Sequence, residues 1–89
     1  MNCEGLLFSM AYQIKLFRPR EIEIFNNVLR HNIFTEENKL TSIKIEYGQE
    51  GCSTHSLRPL DDVYDIHIKD NSELVARPIP FDVKVVTHG

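Results

Sequence analysis

The sequence predicts an α+β fold, in which a single helix packs on a curved, mostly antiparallel sheet of four to five strands in the order β-α-β-β-β-β. Several segments alternate apolar and polar residues, one segment repeats apolar residues at helical spacing, and short turn-forming links join the strands. The chain has 89 residues, of which 42% are hydrophobic, so it fits a single small domain over residues 1–89. Residues 1–11 are interpreted as a leader that is disordered or dispensable, with Met10 as a candidate start.

The first strand and the helix are predicted from residues 12–33. Tyr12, Ile14 and Leu16 alternate with polar residues, as in a half-buried strand, and Pro19 ends the alternation. Residues 20–33 are predicted to be the helix, because apolar residues recur there at the spacing of one helix face. These residues are Ile22, Phe25, Val28, Leu29 and Ile33.

A second strand is predicted over residues 40–47, because Ile43, Ile45 and Tyr47 alternate with polar residues. The glycine-bounded stretch 48–51 predicts a turn that leads into residues 52–57. That polar stretch is either a short strand or only a loop.

The remaining strands are predicted from the second half of the chain. Residues 62–69 alternate, and the pattern places Tyr64, Ile66 and Ile68 toward the core. A short piece over residues 74–76, an extended proline segment and a closing strand over residues 81–86 complete the predicted order, since prolines belong at a sheet edge or in a bend.

The charge is concentrated in the C-terminal half. Residues 1–44 carry six basic and five acidic groups, a net of +1, and residues 45–89 carry four basic and eight acidic groups, a net of -4. With no run of Lys and Arg, strong nucleic-acid binding is not expected, because such binding requires several phosphates to be neutralised together. An acidic domain suits a partner protein with a basic surface.

An acidic cluster marks one candidate partner-binding surface. Five acids fall within thirteen residues: Asp61, Asp62, Asp65, Asp70 and Glu73. A calcium loop would need a central glycine and oxygen ligands at alternating positions, but the segment carries alternating apolar residues instead. Two interpretations are left, a solvated rim or a patch that steers a basic partner, with Asp61, Asp62 and Asp65 as the contact residues.

The proline segment, residues 76–81, marks a second candidate surface. It carries Arg77, Ile79 and Phe81 between its prolines. The prolines either protect an edge strand from pairing or hold these side chains ready for another chain.

A cysteine and a histidine three residues apart, Cys52 and His55, are the candidate chemical site. Zinc would need two further ligands, and no second closely spaced pair exists, so neither a metal nor a cofactor is predicted. A cysteine hydrolase would use Cys52 as nucleophile, His55 or His67 as base and Asp65 to orient the imidazole, but no oxyanion-binding device is recognisable. Cys3 and Cys52 are interpreted as free thiols in a reducing compartment.

These observations favour a small acidic, non-enzymatic protein-binding module that blocks a partner, such as an inhibitor or an immunity or anti-defence protein. The alternatives are a small cysteine- or metal-dependent enzyme centred on Cys52 and His55, and a subunit of a homo-oligomer that assembles through an edge strand. No segment approaches the roughly 20 apolar residues of a membrane span. The expected location is the cytoplasm, or the cytosol of a host cell.

Overall fold

The described part of the chain is built from strands. A computed structural model describes residues 11–70 and 82–89, and the six strands it contains are β1 (Tyr12–Arg18), β2 (Glu21–Glu36), β3 (Lys39–Gln49), β4 (Cys52–Pro59), β5 (Asp65–Asp70) and β6 (Lys84–His88). They form one sheet in the order β4-β3-β2-β1-β5, and β6 pairs with β2 outside that path. All pairs are antiparallel except that of β2 with β6, which is parallel.

The predicted α+β class is wrong for these residues, since residues 21–33 of the predicted helix belong to strand β2 and Arg20 lies in the turn before it. The register of β2 explains the helix-like spacing. One extra residue of β2 lies between Phe25 and Val28, where Asn27 has a φ of 54°, and the register shifts again between Val28 and Arg30. Because each bulge moves the next side chain to the opposite face, Phe25 and Val28 are both buried although they are three residues apart.

The bulges bend β2 so sharply that the sheet closes over its own core. Arg58 of β4 lies opposite Ile43, which lies opposite Ile33 of β2. Glu23 is ten residues before Ile33, a distance of about 33 Å in a straight strand. Arg58 Nε nevertheless lies 2.9 Å from Glu23 Oε2, so the two halves of β2 must face each other.

The core lies between these two halves. Its buried side chains are Ile14, Leu16, Phe25, Val28, Ile43, Ile45 and Leu60. The alternation predicted for β1 and β3 is confirmed, because Ile14, Leu16, Ile43 and Ile45 are all completely buried. Of the residues predicted to face inward around β5, Ile66 packs against the core. The prediction is wrong for Tyr64, which lies before the strand and is exposed, and for Ile68, which is 45% exposed.

The other predicted strands have mixed outcomes. The polar stretch 52–57, which the sequence left as strand or loop, belongs to β4. The closing strand was predicted over residues 81–86, and β6 covers Lys84–His88. The predicted piece at residues 74–76 and the proline segment lie outside the described residues.

A two-residue turn joins the outer ends of β2 and β3. Glu37 and Asn38 both have positive φ, 51° and 65°, and Glu36 pairs with Lys39 across the turn. Two successive positive φ values define the type I′ turn, whose twist matches that of the strands it connects. Residues 30–40 are all exposed, so the end of this hairpin is an arm that projects from the core.

Candidate functional site

The acidic residues predicted to bind a partner lie in the connection between β4 and β5 and at the first residue of β5; residues 61–65 are here called the acidic loop. Backbone hydrogen bonds fix both of its ends. Leu60 N donates to Thr41 O at 2.9 Å, Val63 N donates to Leu60 O at 3.2 Å, and Tyr64 N donates to Phe17 O at 3.0 Å. The side chain of Leu60 is buried in the core, so the loop is anchored on the body of the domain.

The three aspartates of the acidic loop have different surroundings. Asp62 accepts a hydrogen bond from Arg18 Nη1, so an internal cation neutralises its charge. Asp65 accepts the backbone N–H of Ile66 at 2.9 Å and lies 2.8 Å from His67 Nε2, while half of its side chain stays exposed. Asp61 is exposed. All three predicted contact residues are exposed, and the side chains of Asp62 and Asp65 are exposed to the same extent, 50% and 52%; Asp62 also holds the loop in place through its ion pair with Arg18.

Tyr64 is the aromatic residue of the acidic loop, and 68% of it is exposed. The sequence pattern placed it toward the core, which is wrong, because β5 begins only at Asp65 and the alternation does not extend back to Tyr64. Its ring lies 6.3 Å from that of Phe17. The loop therefore displays an aromatic side chain between two exposed carboxylates.

The second predicted surface, formed by Arg77, Ile79 and Phe81, lies outside the described residues. So do Asp70's side chain and Glu73 of the predicted acidic cluster.

Of the candidate catalytic residues, the structure brings His67 and Asp65 together, at 2.8 Å, as a base and its orienting carboxylate would be. Cys52 is disulfide-bonded, so its interpretation as a free thiol is wrong, and Cys3 lies outside the described residues. His55 lies 3.9 Å from Glu46, and His67 contacts Asp65 and the ring of Phe17. His55 and His67 belong to β4 and β5, the two ends of the strand order. Within the described residues, no group of three or more His, Cys, Asp and Glu could hold a metal ion.

A buried ionic cluster lies where β1, β2, β4 and β6 meet, and the sequence analysis missed it. Glu23 is 1% exposed and Arg18 is 7% exposed. Glu23 Oε1 accepts hydrogen bonds from Arg18 Nε at 3.0 Å and Nη2 at 2.8 Å. Arg58 Nε lies 2.9 Å and His88 Nε2 3.3 Å from Glu23 Oε2. Arg18 Nη2 also donates a hydrogen bond to Pro59 O, at 2.8 Å.

The arginines decide the protonation of Glu23. Burial by itself raises the pKa of this carboxyl, but hydrogen bonds from Arg18 and Arg58 and their positive charges outweigh burial, and the pKa lies below its usual value of 4.5. Glu23 is therefore ionised at neutral pH. No local signal marks Glu23 as buried, because Ile22 and Ile24 alternate with Glu21 and Glu23 in the sequence, and the predicted helix placed Glu23 in its first turn.

A second network lies on the outer face of β2, β3 and β4. Arg30 donates from Nε to Glu46 Oε1 at 2.7 Å, from Nη2 to Glu46 Oε2 at 2.9 Å, and also from Nη2 to Glu50 Oε1 at 2.8 Å. Ser53 Oγ donates to Glu46 at 2.6 Å. Hydrogen bonds from Arg30 and Ser53 lower the pKa of Glu46 to about 2. This network ties the neighbouring strands together at the surface.

Compared with known protein families, with curated proteins and with solved structures, the chain has no significant match. Among residues 11–70 and 82–89, there is no helix with the length and hydrophobicity that a membrane crossing requires. The function proposed below therefore rests on geometry and charge.

Proposed function

We propose that the chain is a small, non-enzymatic protein-binding module whose acidic loop contacts a basic surface on a partner protein. The observation that carries the proposal is the 68% exposure of Tyr64 between the exposed carboxylates of Asp61 and Asp65. Tyrosines are enriched among the residues that dominate binding energy at protein interfaces, because a large apolar ring and a hydroxyl are buried together.

The charge of the loop favours a basic partner. The C-terminal half of the chain has a net charge of -4, from four basic and eight acidic groups. Complementary charge speeds the encounter of two proteins and disfavours partners of like charge. Asp61 and Asp65 supply this charge at the loop, and the ring of Tyr64 supplies the apolar contact.

The anchoring of the loop supports tight binding. The backbone bonds of Leu60 and Tyr64 and the ion pair between Arg18 and Asp62 hold the loop in one conformation. A loop that is already ordered loses little conformational entropy on binding, so more of the contact energy contributes to affinity. We propose that binding blocks the basic surface of the partner, as expected for an inhibitor or for an immunity or anti-defence protein.

The compartment is part of the proposal. The sequence predicted the cytoplasm or the cytosol of a host cell. The disulfide at Cys52 instead favours an oxidising compartment, because cytosolic glutathione and thioredoxin keep thiols reduced. Counting reactive thiols in protein isolated without reductant from its native source distinguishes the two locations.

The test of the binding proposal is affinity capture from a lysate of the native source with three baits. The baits are the wild-type chain, a variant that combines Asp61→Asn, Tyr64→Ala and Asp65→Asn, and a control that combines Glu37→Gln and Asp82→Asn. Glu37 lies in the turn between β2 and β3 and Asp82 lies beside β6; both are exposed and outside the acidic loop, so the control also removes two negative charges.

The proposal expects one protein that wild type and the control capture equally and the loop variant loses. Binding of that protein should weaken as salt concentration rises, and the loop variant should show a smaller salt dependence. Equal capture by all three folded baits, or no protein captured by folded wild type, contradicts the proposal.

A further inference from the structure

The outer half of β2 has one edge without a partner among the described residues. Along residues 30–36, β3 pairs with one edge, from Arg30 opposite Glu46 to Glu36 opposite Lys39. β1 lies on the other side of β2, but its register ends where Tyr12 meets Val28. The backbone groups on that side of residues 30–36, here called the arm edge, form a template for another strand.

Within residues 30–36, the arm edge has no proline, lysine or bulge, three of the features that prevent such pairing. Proteins protect edge strands with prolines, bulges, short length or lysines. Residues 30–36 contain neither proline nor lysine. The register shift near Phe34 adds its extra residue, Thr41, to β3 rather than to β2. By contrast, β4 ends at Pro59, and β5 has six residues with Lys69 among them.

From this edge we infer that the chain forms a symmetric dimer, in which the arm edge pairs antiparallel with the arm edge of a second copy. The inference goes beyond the proposed function, since it concerns a different surface and a different partner. A two-fold axis that relates two antiparallel strands in one sheet runs perpendicular to the sheet. Residues that lie opposite each other must then point to the same face of the sheet. Each allowed register therefore has one residue that lies opposite its own copy, at the two-fold axis.

The register centred on Ile33 is self-complementary. It places Ile33 opposite Ile33 of the second copy, His31 opposite Thr35, and Arg30 opposite Glu36. Both ends of the paired segment then bring opposite charges together, and its centre brings two apolar side chains together. A shift of the centre by one residue would place Arg30 opposite Phe34 or Asn38 and would lose both ion pairs.

The exposure of the arm agrees with this register. Ile33 is 36% exposed, although it lies on the face that carries the buried Ile43. Pairing with its own copy would remove two such side chains from water. Arg30 already binds Glu46 and Glu50, so Glu36 of the second copy would join an existing network of charges.

The first test is sedimentation equilibrium of the full chain over a wide concentration range, with the variant Ile33→Lys and the control Leu57→Lys. Leu57 is also an exposed apolar residue, 63% exposed, but it lies on β4. Wild type and the control should reach twice the monomer mass of 10.3 kDa. Ile33→Lys places two ammonium groups at the axis and should weaken association more than tenfold. A wild type that stays monomeric, or an Ile33→Lys variant that dimerises like wild type, overturns the inference.

A second pair of variants keeps the test decisive if Ile33→Lys does not fold. Glu36→Arg places arginine opposite Arg30 in the dimer and should also give a monomer. Glu37→Arg makes the same change of charge in the turn, outside the paired segment, and should leave the dimer intact. Equal masses for these two variants would overturn the inference.

The register has its own readout in disulfide formation between copies. Ile33→Cys should give a linked dimer under mild oxidation, identified by mass spectrometry as a bond between the two introduced thiols. Thr35→Cys is the matched control, because each Thr35 would lie about 13 Å along the strand from its own copy, too far for a disulfide. Linking of Thr35→Cys but not of Ile33→Cys would refute the register.

Discussion

Replacing Glu23 by glutamine tests the role of the buried ionic cluster. The change keeps the volume of the side chain but removes the charge that compensates Arg18. Arg18 is 7% exposed and donates two hydrogen bonds to Glu23 Oε1. Its guanidinium would keep only Asp62 and the carbonyl oxygen of Pro59 as partners. Arg58 and His88 would lose the carboxylate as well.

The expected loss follows from these contacts. Breaking a buried ion pair by removing one partner costs about 3–5 kcal/mol, because the other charge stays buried without compensation. The remaining contact of Arg18 with Asp62 places the expected value near the lower end, about 3 kcal/mol. Because small domains have free energies of unfolding of roughly 5–15 kcal/mol, this is a large share of the total.

Equilibrium unfolding in urea measures this loss. For a small domain with a slope of roughly 1 kcal/mol per molar urea, the midpoint should fall by about 3 M while the slope stays unchanged. The matched control is Glu50→Gln, which breaks an exposed ion pair with Arg30 and should shift the midpoint far less. Equal midpoints for the two variants would refute the assigned role of Glu23. If Glu23→Gln does not fold, Arg58→Gln removes the half-exposed partner and should give a smaller, measurable loss.

Three further predictions concern pH and the hairpin turn. The pKa of Glu23 is lower in the folded chain than its usual 4.5. The contribution of the Glu23 charge to stability is therefore complete above about pH 4.5 and is lost as the pH falls through the folded pKa. Urea unfolding from pH 7 to pH 3 should show this loss, and Glu23→Gln should reduce it. The pKa of Glu46, about 2, should rise in Ser53→Ala because a hydrogen bond to the carboxylate is removed, as measured by NMR titration of the side chain; an unchanged value would exclude a contribution from Ser53. Asn38→Val should lower the free energy of unfolding by about 1–2 kcal/mol, since a β-branched residue is strained at a φ of 65°, and an unchanged urea midpoint would contradict the assigned turn.

Strands that alternate without interruption could be predicted from the sequence. Ile14 and Leu16 in β1 and Ile43 and Ile45 in β3 are buried where the pattern placed them. β2 could not be predicted in this way, because the bulge between Phe25 and Val28 places these two buried residues three positions apart instead of two. A spacing of three or four is also the mark of a helix face, and nothing local in the sequence distinguishes the two cases.

The residues of the candidate site could be predicted from the sequence, but the contacts of their side chains could not. The sequence identified Asp61, Asp62 and Asp65 as acidic surface residues, but the pairing of Asp62 with Arg18 joins residues 44 positions apart. The burial of Glu23 likewise depends on Arg58 and His88, which only the folded sheet brings to it. Such contacts follow from the bend in β2 rather than from any local pattern.

The parallel pairing of β6 with β2 has a consequence for the way the chain reaches its folded state. His88 meets Glu23 across 65 positions of sequence, and its ring stacks on that of Phe25 at 4.3 Å. Contacts between such distant positions require a large loop to close first, which slows folding. The hairpin of β1 and β2 is also synthesised well before β6, the strand that pairs with the other edge of β2. Until β6 pairs, that edge of β2 is open, and unpaired strand edges favour aggregation over folding.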